Sequence, residues 1–535
     1  MKIEYLDATL LKKLFITAAN ALDNNKELVN SLNVFPVPDG DTGTNMSLTV
    51  QSAVRHIKMV EDEDVEKIAS AAAKGSLMGA RGNSGVILSQ IFRGFAKGLE
   101  GSKKIDVNTL ANSFKVASDT AYKAVMKPIE GTVLTVAREC SEKALELKES
   151  ETDIVIFLKE VIKHGDITLD KTPEMLDVLK EAGVVDAGGK GLMFILKGAL
   201  EGLTGNNDVL VEEYKEADLS KDSTDENIKY SYCTEFIINN TNEDANNFRS
   251  EISSYGDSLL VVGADDIIKT HIHTNNPGIV IEKALKLGEL TDIKIDNMKY
   301  QHRNEVVEET KKEKKEVKKY SFITVAMGEG IKNVFKDLNV DYVILGGQTM
   351  NPSTEDILKA VDEVTGENII ILPNNSNIVL AANQARELSD RSITVLPTKT
   401  IPQGISALLS FEEDLGVEEN VESMTEAYKE VKTGEITFAV RDTTIKDKAI
   451  KKDNIIGIFD GDIKAVGTEI NDVSVDLIKE IVDEDNDLIT IFYGEEVTKE
   501  QAIELSEKIE EENEDCDIEV IYGGQPLYYY LFSVE

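Results

Sequence analysis

"NVFPVPDGDTGTNMSLTV", residues 33–50, sets two prolines, two aspartates and two glycines ahead of a renewed apolar run. Carboxylates held a few Å apart, as one tight turn carrying Asp39 and Asp41 would hold them, repel by a few kcal/mol at an effective dielectric of roughly 20. They are tolerable in a solvated turn or around a cation. Pro36 and Pro38 fix φ on the approach, and Gly40 and Gly43 allow backbone that a Cβ would crowd. Such a turn aims two carboxylates at one point while offering Thr42, Thr44, Asn45 and backbone N–H groups to an anion. Hard oxygen ligands suit Mg²⁺, which is commonly shared with substrate phosphates. A helix starting near Asn45 and Met46 would add its positive end. The stretch has neither the G-K-[ST] of a Walker loop nor a G-x-G-x-x-G fingerprint. Taken alone, an Asp-Gly-Asp turn is as readily an ordinary solvated turn.

The rest of the chain narrows the choice. At 535 residues it exceeds what one core can organise, and three or four domains are expected. The excess of 98 acidic over 58 basic residues, a formal charge of −40, argues against nucleic-acid or membrane-surface binding, which needs a basic patch. Cys140, Cys233 and Cys516 are few, odd in number and far apart, so no disulfide framework is implied. Charges interrupt "MKIEYLDATLLKKLF" every few residues, unlike a signal peptide. No stretch reaches the ~20 apolar residues of a membrane span. A cytoplasmic protein without a membrane span is expected.

Helical periodicity runs through residues 1–204, with glycines gathered in the connections "DGDTGTN", "GARGNSG", "IEGT" and "DAGGKG". Residues 205–228 read as a linker. Over 229–301 the pattern is βαββαβ, the order of a ferredoxin-like split βαβ unit. Residues 302–320 form a charged linker. From 321 to 535, β-branched runs alternate with amphipathic helices, indicating a doubly wound α/β sheet, and the tail adds further strands.

The long string from Asn33 resembles the nucleotide signature of the dihydroxyacetone kinase ATP-binding domain, and more closely that of the bacterial fatty acid kinase catalytic subunit. "GARGNSGVILSQIFRG", "KPIEGTVLTVARE" and "GVVDAGGKGL" match in order, as do "YCTEFII", "KTHIHTNNPG", "GGQTMNPST", "LPNNSN", "PTKTIPQG" and "YGGQPLYYYLFSVE". The likeness spans nearly the whole chain. It implies an all-α helical barrel binding ATP at one end, then a ferredoxin-like domain and a domain resembling DegV-type fatty-acid-binding proteins. It implies two Mg²⁺ on Asp39 and Asp41. Asn33 stands near where the family has a third aspartate, one residue further away, and would offer an amide oxygen without charge. Thr42, Gly43, Thr44 and Asn45, then Asn83, Ser84 and Gly85, Thr132, and Asp186 with Gly188 are expected to meet the nucleotide. Each of those beyond the first turn could equally be an ordinary helix cap. Arg81 either steadies the transferring charge or pairs with a carboxylate.

His271 and His273 lie two apart on an expected strand, with Cys233 on another. Two imidazoles and a thiolate are a conceivable Zn²⁺ set, and the resemblance links these positions to zinc. A general-base role for a histidine is a weaker alternative. The expected activity is transfer of a phosphoryl group from ATP to a fatty acid carboxylate presented by a separate DegV-type binding protein, giving an acyl phosphate for phospholipid synthesis. A small-polyol kinase and a non-catalytic nucleotide-sensing scaffold are the competing readings. A homodimer is the expected assembly.

Overall fold

A computed structural model describes residues 2–33, 40–60, 64–125, 127–205, 230, 232–239, 241, 245–264, 267–297, 318–347, 351–439, 443–445, 448–484, 486–513 and 515–535. The chain forms two compact units, one joining Met1–Asn206 to Val317–Glu535 and the other spanning Asn207–Glu316. Both expected linkers lie outside the described residues except Gly205 and 318–320, and the first C-terminal strand already opens at Tyr320.

The N-terminal part of the first unit is helical: α1 (Ala8–Asp23), α2 (Lys26–Ser31), α3 (Thr42–Lys58), α4 (Val65–Met78), α5 (Gly82–Gly98), α6 (Val107–Ala124), α7 (Val133–Leu147), α8 (Ile154–Asp170), α9 (Thr172–Met175), α10 (Asp177–Ala182) and α11 (Ala187–Thr204). Part of the acid excess is explained at once. Asp7, Asp64, Asp106, Asp153 and Asp186 cap α1, α4, α6, α8 and α11 by accepting backbone N–H bonds, where the helix dipole also favours a negative charge. The helices close a ring: α1 packs on α3, α3 on α4 and α5, α5 on α6, α6 on α7, α7 on α8, α8 on α11, and α11 back on α1. A series of edge-to-face rings crosses its interior, Phe92 and Phe95 against Phe15, Phe95 against Phe114, and Phe114 against Phe157, at 5.4–6.5 Å.

Helices α5 and α6 approach closely because Gly94 and Gly98 carry no Cβ. One built on Gly98 would lie 2.5 Å from the Ser113 Cα, and one on Gly94 would lie 2.5 Å from the Val116 carbonyl oxygen.

The C-terminal part holds two sheets. Strands β5 (Tyr320–Ala326), β6 (Tyr342–Leu345), β7 (Asn368–Leu372) and β8 (Ser392–Val395) are parallel in the order β6-β5-β7-β8. Helices α14 (Glu329–Asp337), α15 (Thr354–Glu363), α16 (Val379–Leu388) and α17 (Ile401–Leu409) alternate with them, and β5 is buried along its whole length, as expected of a doubly covered parallel sheet. The doubly wound pattern does not continue into the tail. There β9 (Lys432–Phe438), β12 (Ile455–Phe459), β13 (Asp462–Gly467), β14 (Leu488–Tyr493), β15 (Asp517–Tyr522) and β16 (Tyr530–Val534) make a mixed sheet, ordered β13-β12-β9-β16-β14-β15, in which only β14 and β15 run parallel. Tight turns such as Asp460–Gly461, both at positive φ, make antiparallel neighbours there; β10 (Thr443–Ile445) and β11 (Lys448–Ile450) form a separate hairpin.

The second unit runs β1 (Tyr232–Asn239), α12 (Ala245–Ile252), β2 (Gly256–Ala264), β3 (Ile267–Thr274), α13 (Pro277–Ala284) and β4 (Glu289–Asn297). Its strands form one antiparallel sheet ordered β2-β3-β1-β4 over a core of Phe236, Ile238, Phe248, Ile268, Ile272 and Val280.

The α5–α6 contact leads to a test. Gly98→Ala should lower the denaturant midpoint of the helical domain by the equivalent of ~1–3 kcal/mol, the usual cost of overpacking. An unchanged midpoint would show that the two helices separate freely.

Candidate functional site

Asp41 begins the site. It stands at the N-cap position of α3 but makes no side-chain bond to the helix amides, unlike the five aspartates that cap α1, α4, α6, α8 and α11. Its carboxylate is buried, at 9% exposure, and accepts a 2.5 Å hydrogen bond from Asn351 Nδ2. Asp39, with Pro36 and Pro38, lies outside the described residues.

The helix starts at Thr42, three residues earlier than the sequence suggests, so Thr42, Gly43, Thr44 and Asn45 form its first turn. The reason is α2, which presses against that turn. A Cβ on Gly43 would fall 2.1 Å from the Lys26 carbonyl oxygen. Asn30 clasps Thr44 from both sides, its Oδ1 accepting from the Thr44 N–H at 3.1 Å and its Nδ2 donating to Thr44 Oγ1 at 3.0 Å. Asn33 is half-buried, and its N–H donates to the Asn30 carbonyl at 3.1 Å.

The "GNSG" turn arrives beside it. Gly82 has φ +56°, and a Cβ there would sit 2.6 Å from Asn45 Nδ2, so α3 and α5 begin side by side. Asn83, Ser84 and Gly85 all lie in the first turn of α5. Asn83 Nδ2 donates to Asn377 Oδ1 at 3.0 Å, and Asn83 Oδ1 is buried without a partner among the described residues.

A second pair of helix starts adjoins the first. Gly191 in α11 faces Met46 in α3, and Gly188 faces Val133 at the start of α7. Thr132 precedes α7 with its hydroxyl donating to the Ile129 carbonyl at 2.8 Å. Asp186 accepts from the Gly189 N–H at 2.6 Å. The starts of α3, α5, α7 and α11 therefore meet at one end of the ring, and their dipoles leave that end favourable to an anion.

The C-terminal domain closes over this end. Thr354 N–H donates to the Ala80 carbonyl at 3.2 Å, and Arg81 and Ser353 pair as an isolated antiparallel bridge. Arg81 is held by two partners: Nη1 donates to the Asn351 carbonyl at 2.7 Å, and Nη2 pairs with Asp356 at 3.3 Å. Asp356 in turn completes a capping box with Ser353 at the start of α15. Ala80 and Val86 join the apolar cluster of Ile357, Val361, Ile378 and Ala381. Asn351, Ser353, Asp356, Asn377 and Asn30 all carry the site, and the sequence alone assigns none of them to it. Their motifs are visible in "GGQTMNPST" and "LPNNSN", but nothing local says what they touch.

Cys233, His271 and His273 lie in the second unit. The strand register pairs Cys233 with His273 and Glu235 with His271; the three side chains are outside the described part of the structure. Among the described residues, no three His, Cys, Asp or Glu side chains gather as a metal site, and no helix is long and apolar enough to cross a membrane.

Burial pushes the Asp186 carboxyl up to about 6, against the lowering effect of the Gly189 and Val133 N–H groups. Between pH 4 and 6 the folded chain then holds a proton that the unfolded chain has released, so this group costs stability progressively as pH rises through that window. Asp186→Asn keeps a capping oxygen. It should gain stability relative to the parent between pH 4 and 7, by on the order of 2 kcal/mol; a difference independent of pH would contradict the assignment.

Family models match three successive stretches: a DAK2 domain over residues 36–201, a FakA-like fatty acid kinase middle domain over 229–305, and a FakA-like fatty acid kinase C-terminal domain over 321–535. Protein YloV of Bacillus subtilis (strain 168) is 44% identical over 556 residues, covering 100% of both chains. An uncharacterized protein of Staphylococcus aureus (strain bovine RF122 / ET3-1) is 42% identical over 551 residues, again covering 100% of both. Among solved structures, a DegV family protein from Corynebacterium glutamicum matches 41% of this chain and 98% of its own, at 14% identity and a TM-score of 0.32. The dihydroxyacetone kinase of C. freundii matches 41% of this chain and 49% of its own, at 14% identity and a TM-score of 0.30. Three consecutive domain matches and full-length identity with its relatives place this chain in the FakA-like fatty acid kinase family, with a DAK2 domain at its N-terminal end.

Proposed function

We propose that the chain is the ATP-dependent component of a fatty acid kinase. It transfers the γ-phosphoryl of ATP to the carboxylate of a fatty acid presented by a separate DegV-type binding protein. The observation that carries this reading is the buried Asp41 carboxylate, withheld from helix capping at the point where four helix starts converge.

The residues there fit a cation-bound nucleotide. Asp41 supplies an anionic oxygen, and Asn83 and Asn351 each hold a buried amide oxygen without a partner. Hard oxygen donors of this kind suit Mg²⁺. Asp39, Asp41 and Asn33 are assigned as its ligands. Two Mg²⁺, when bound, would neutralise charge on the phosphates. Thr42 and Gly43, through the helix amides, and Ser84, Asn83 and Gly85, from the adjacent turn, orient the phosphates. Asn45 holds the two turns together. Thr132, Asp186 and Gly188 are assigned to the ribose and base end.

In the reaction a fatty acid carboxylate oxygen attacks the γ-phosphorus, the bond to the β–γ bridging oxygen breaks, and ADP leaves with that electron pair. The acceptor is already ionised at pH 7, so no strong base is required, and positioning and electrostatics must supply most of the acceleration. Arg81 steadies the site through Asn351 and Asp356.

The crevice at the carboxyl ends of β5 and β7 mixes polar residues such as Asn374, Lys399 and Glu435 with apolar ones such as Ile331, Ile378 and Leu531. Its cavity of about 40 Å³ takes only a few water molecules and not an alkyl chain, which favours delivery of the lipid on a second protein docked to the C-terminal domain. The connectivity and sheet order of the second unit support a ferredoxin-like reading. We assign it a Zn²⁺ held by Cys233, His271 and His273, on the register that sets Cys233 beside His273. A cytoplasmic homodimer feeding phospholipid synthesis completes the proposal.

Incubating the protein with Mg·ATP, a fatty acid and its DegV-type carrier should give an acyl phosphate that hydroxylamine traps. Asp41→Asn should abolish that product while the melting temperature holds. Phosphorylation of free dihydroxyacetone without a carrier would replace the reading with a polyol kinase, and tight Mg·ATP binding without turnover on any acceptor would replace it with a sensor. Elemental analysis should find stoichiometric zinc that is lost in Cys233→Ser; a zinc-free parent protein would remove the metal from the middle domain.

A further inference from the structure

We propose that the metal-bearing end of the nucleotide site is shared between two domains, with Asn351 of the C-terminal domain supplying an oxygen to the cation–nucleotide complex. The inference rests on the reading of Asp41 as a metal ligand.

Three observations carry it. First, Asn351 is 1% exposed and reaches across the domain boundary to Asp41, its Nδ2 donating to the carboxylate at 2.5 Å. That bond fixes which way the carboxamide faces. Second, the opposite atom, Oδ1, is buried and has no hydrogen-bond partner among the described residues. A buried carbonyl oxygen left unpaired costs free energy unless a donor or cation meets it. Third, the backbone that carries Asn351 is held in place. Arg81 Nη1 grips its carbonyl at 2.7 Å while Nη2 pairs with Asp356 at 3.3 Å, and Asp356 accepts from the Ser353 N–H at 2.9 Å and Oγ at 2.7 Å.

Asn83 repeats the pattern from the other side. Its Nδ2 is spent on Asn377 across the boundary, leaving its buried Oδ1 without a partner. Each domain thus presents one amide oxygen unpaired among the described residues, and the carboxylate that Asn351 touches caps no helix amide. An amide oxygen is a hard, neutral ligand for Mg²⁺, or an acceptor for water already bound to it. Nucleotide binding and the seating of the C-terminal domain are then linked, and by reciprocity each strengthens the other.

The test measures binding rather than turnover. A non-hydrolysable ATP analogue is titrated into the full chain at increasing Mg²⁺, for the parent, Asn351→Ala and Asp41→Asn, with melting temperature as the folding control. Asn351→Ala should raise the Mg²⁺ concentration at half-saturation about ten-fold and leave metal-free affinity unchanged. Should Asn351→Ala fold poorly, Asp356→Ala frees Arg81 without touching the amide and should shift the same curve about three-fold. A parent-like Mg²⁺ curve in both variants, with the dependence lost in Asp41→Asn, would overturn the role of Asn351 and leave the metal site standing. Retention of the dependence in Asp41→Asn would overturn both.

Discussion

A buried carboxylate that no helix amide claims is the constraint on which the rest of the first unit turns. Isolated burial of such a charge is costly, and Asp41 is buried by residues from two parts of the chain separated by some three hundred positions. The helical ring supplies the convergent helix starts, and the C-terminal domain supplies Asn351 and the strut through Arg81. Neither part alone encloses the turn. This end of the ring therefore belongs to the interface as much as to the helices.

The interface also explains the polar character of two strings in the second half of the chain. "GGQTMNPST" supplies Asn351 and the Ser353–Asp356 capping box, and "LPNNSN" supplies Asn377. Beneath this polar rim Ala80 and Val86 enter the apolar cluster of α15 and α16, which gives the contact a dry foundation. Polar groups over an apolar base make a seam that is specific in register and sensitive to loss of any one member.

Much of the helical part was legible in advance. Apolar spacing marked most of the long helices, and clustered glycines marked the connections that meet at one end of the ring. Asp41, Asn45, Gly82 and Asn83 do assemble, as do Thr132, Asp186 and Gly188. Reading was poorer where a distant segment intervened. The start of α3 moved to Thr42 because α2 presses on Gly43 and Asn30 holds Thr44. That Arg81 would pair with Asp356 could not be read locally, because the two lie far apart along the chain.

What the amino-acid sequence determined by itself was periodic and local: which segments are helices or strands, where aspartates cap and where glycines turn. These follow from side-chain spacing and backbone freedom within a few residues. What only the tertiary structure decided was the company each polar group keeps. A side chain such as Asn351 has the same local preferences whether it faces water or a carboxylate, and only the packing of α15 on α4 and of α16 on α5 brings it to Asp41.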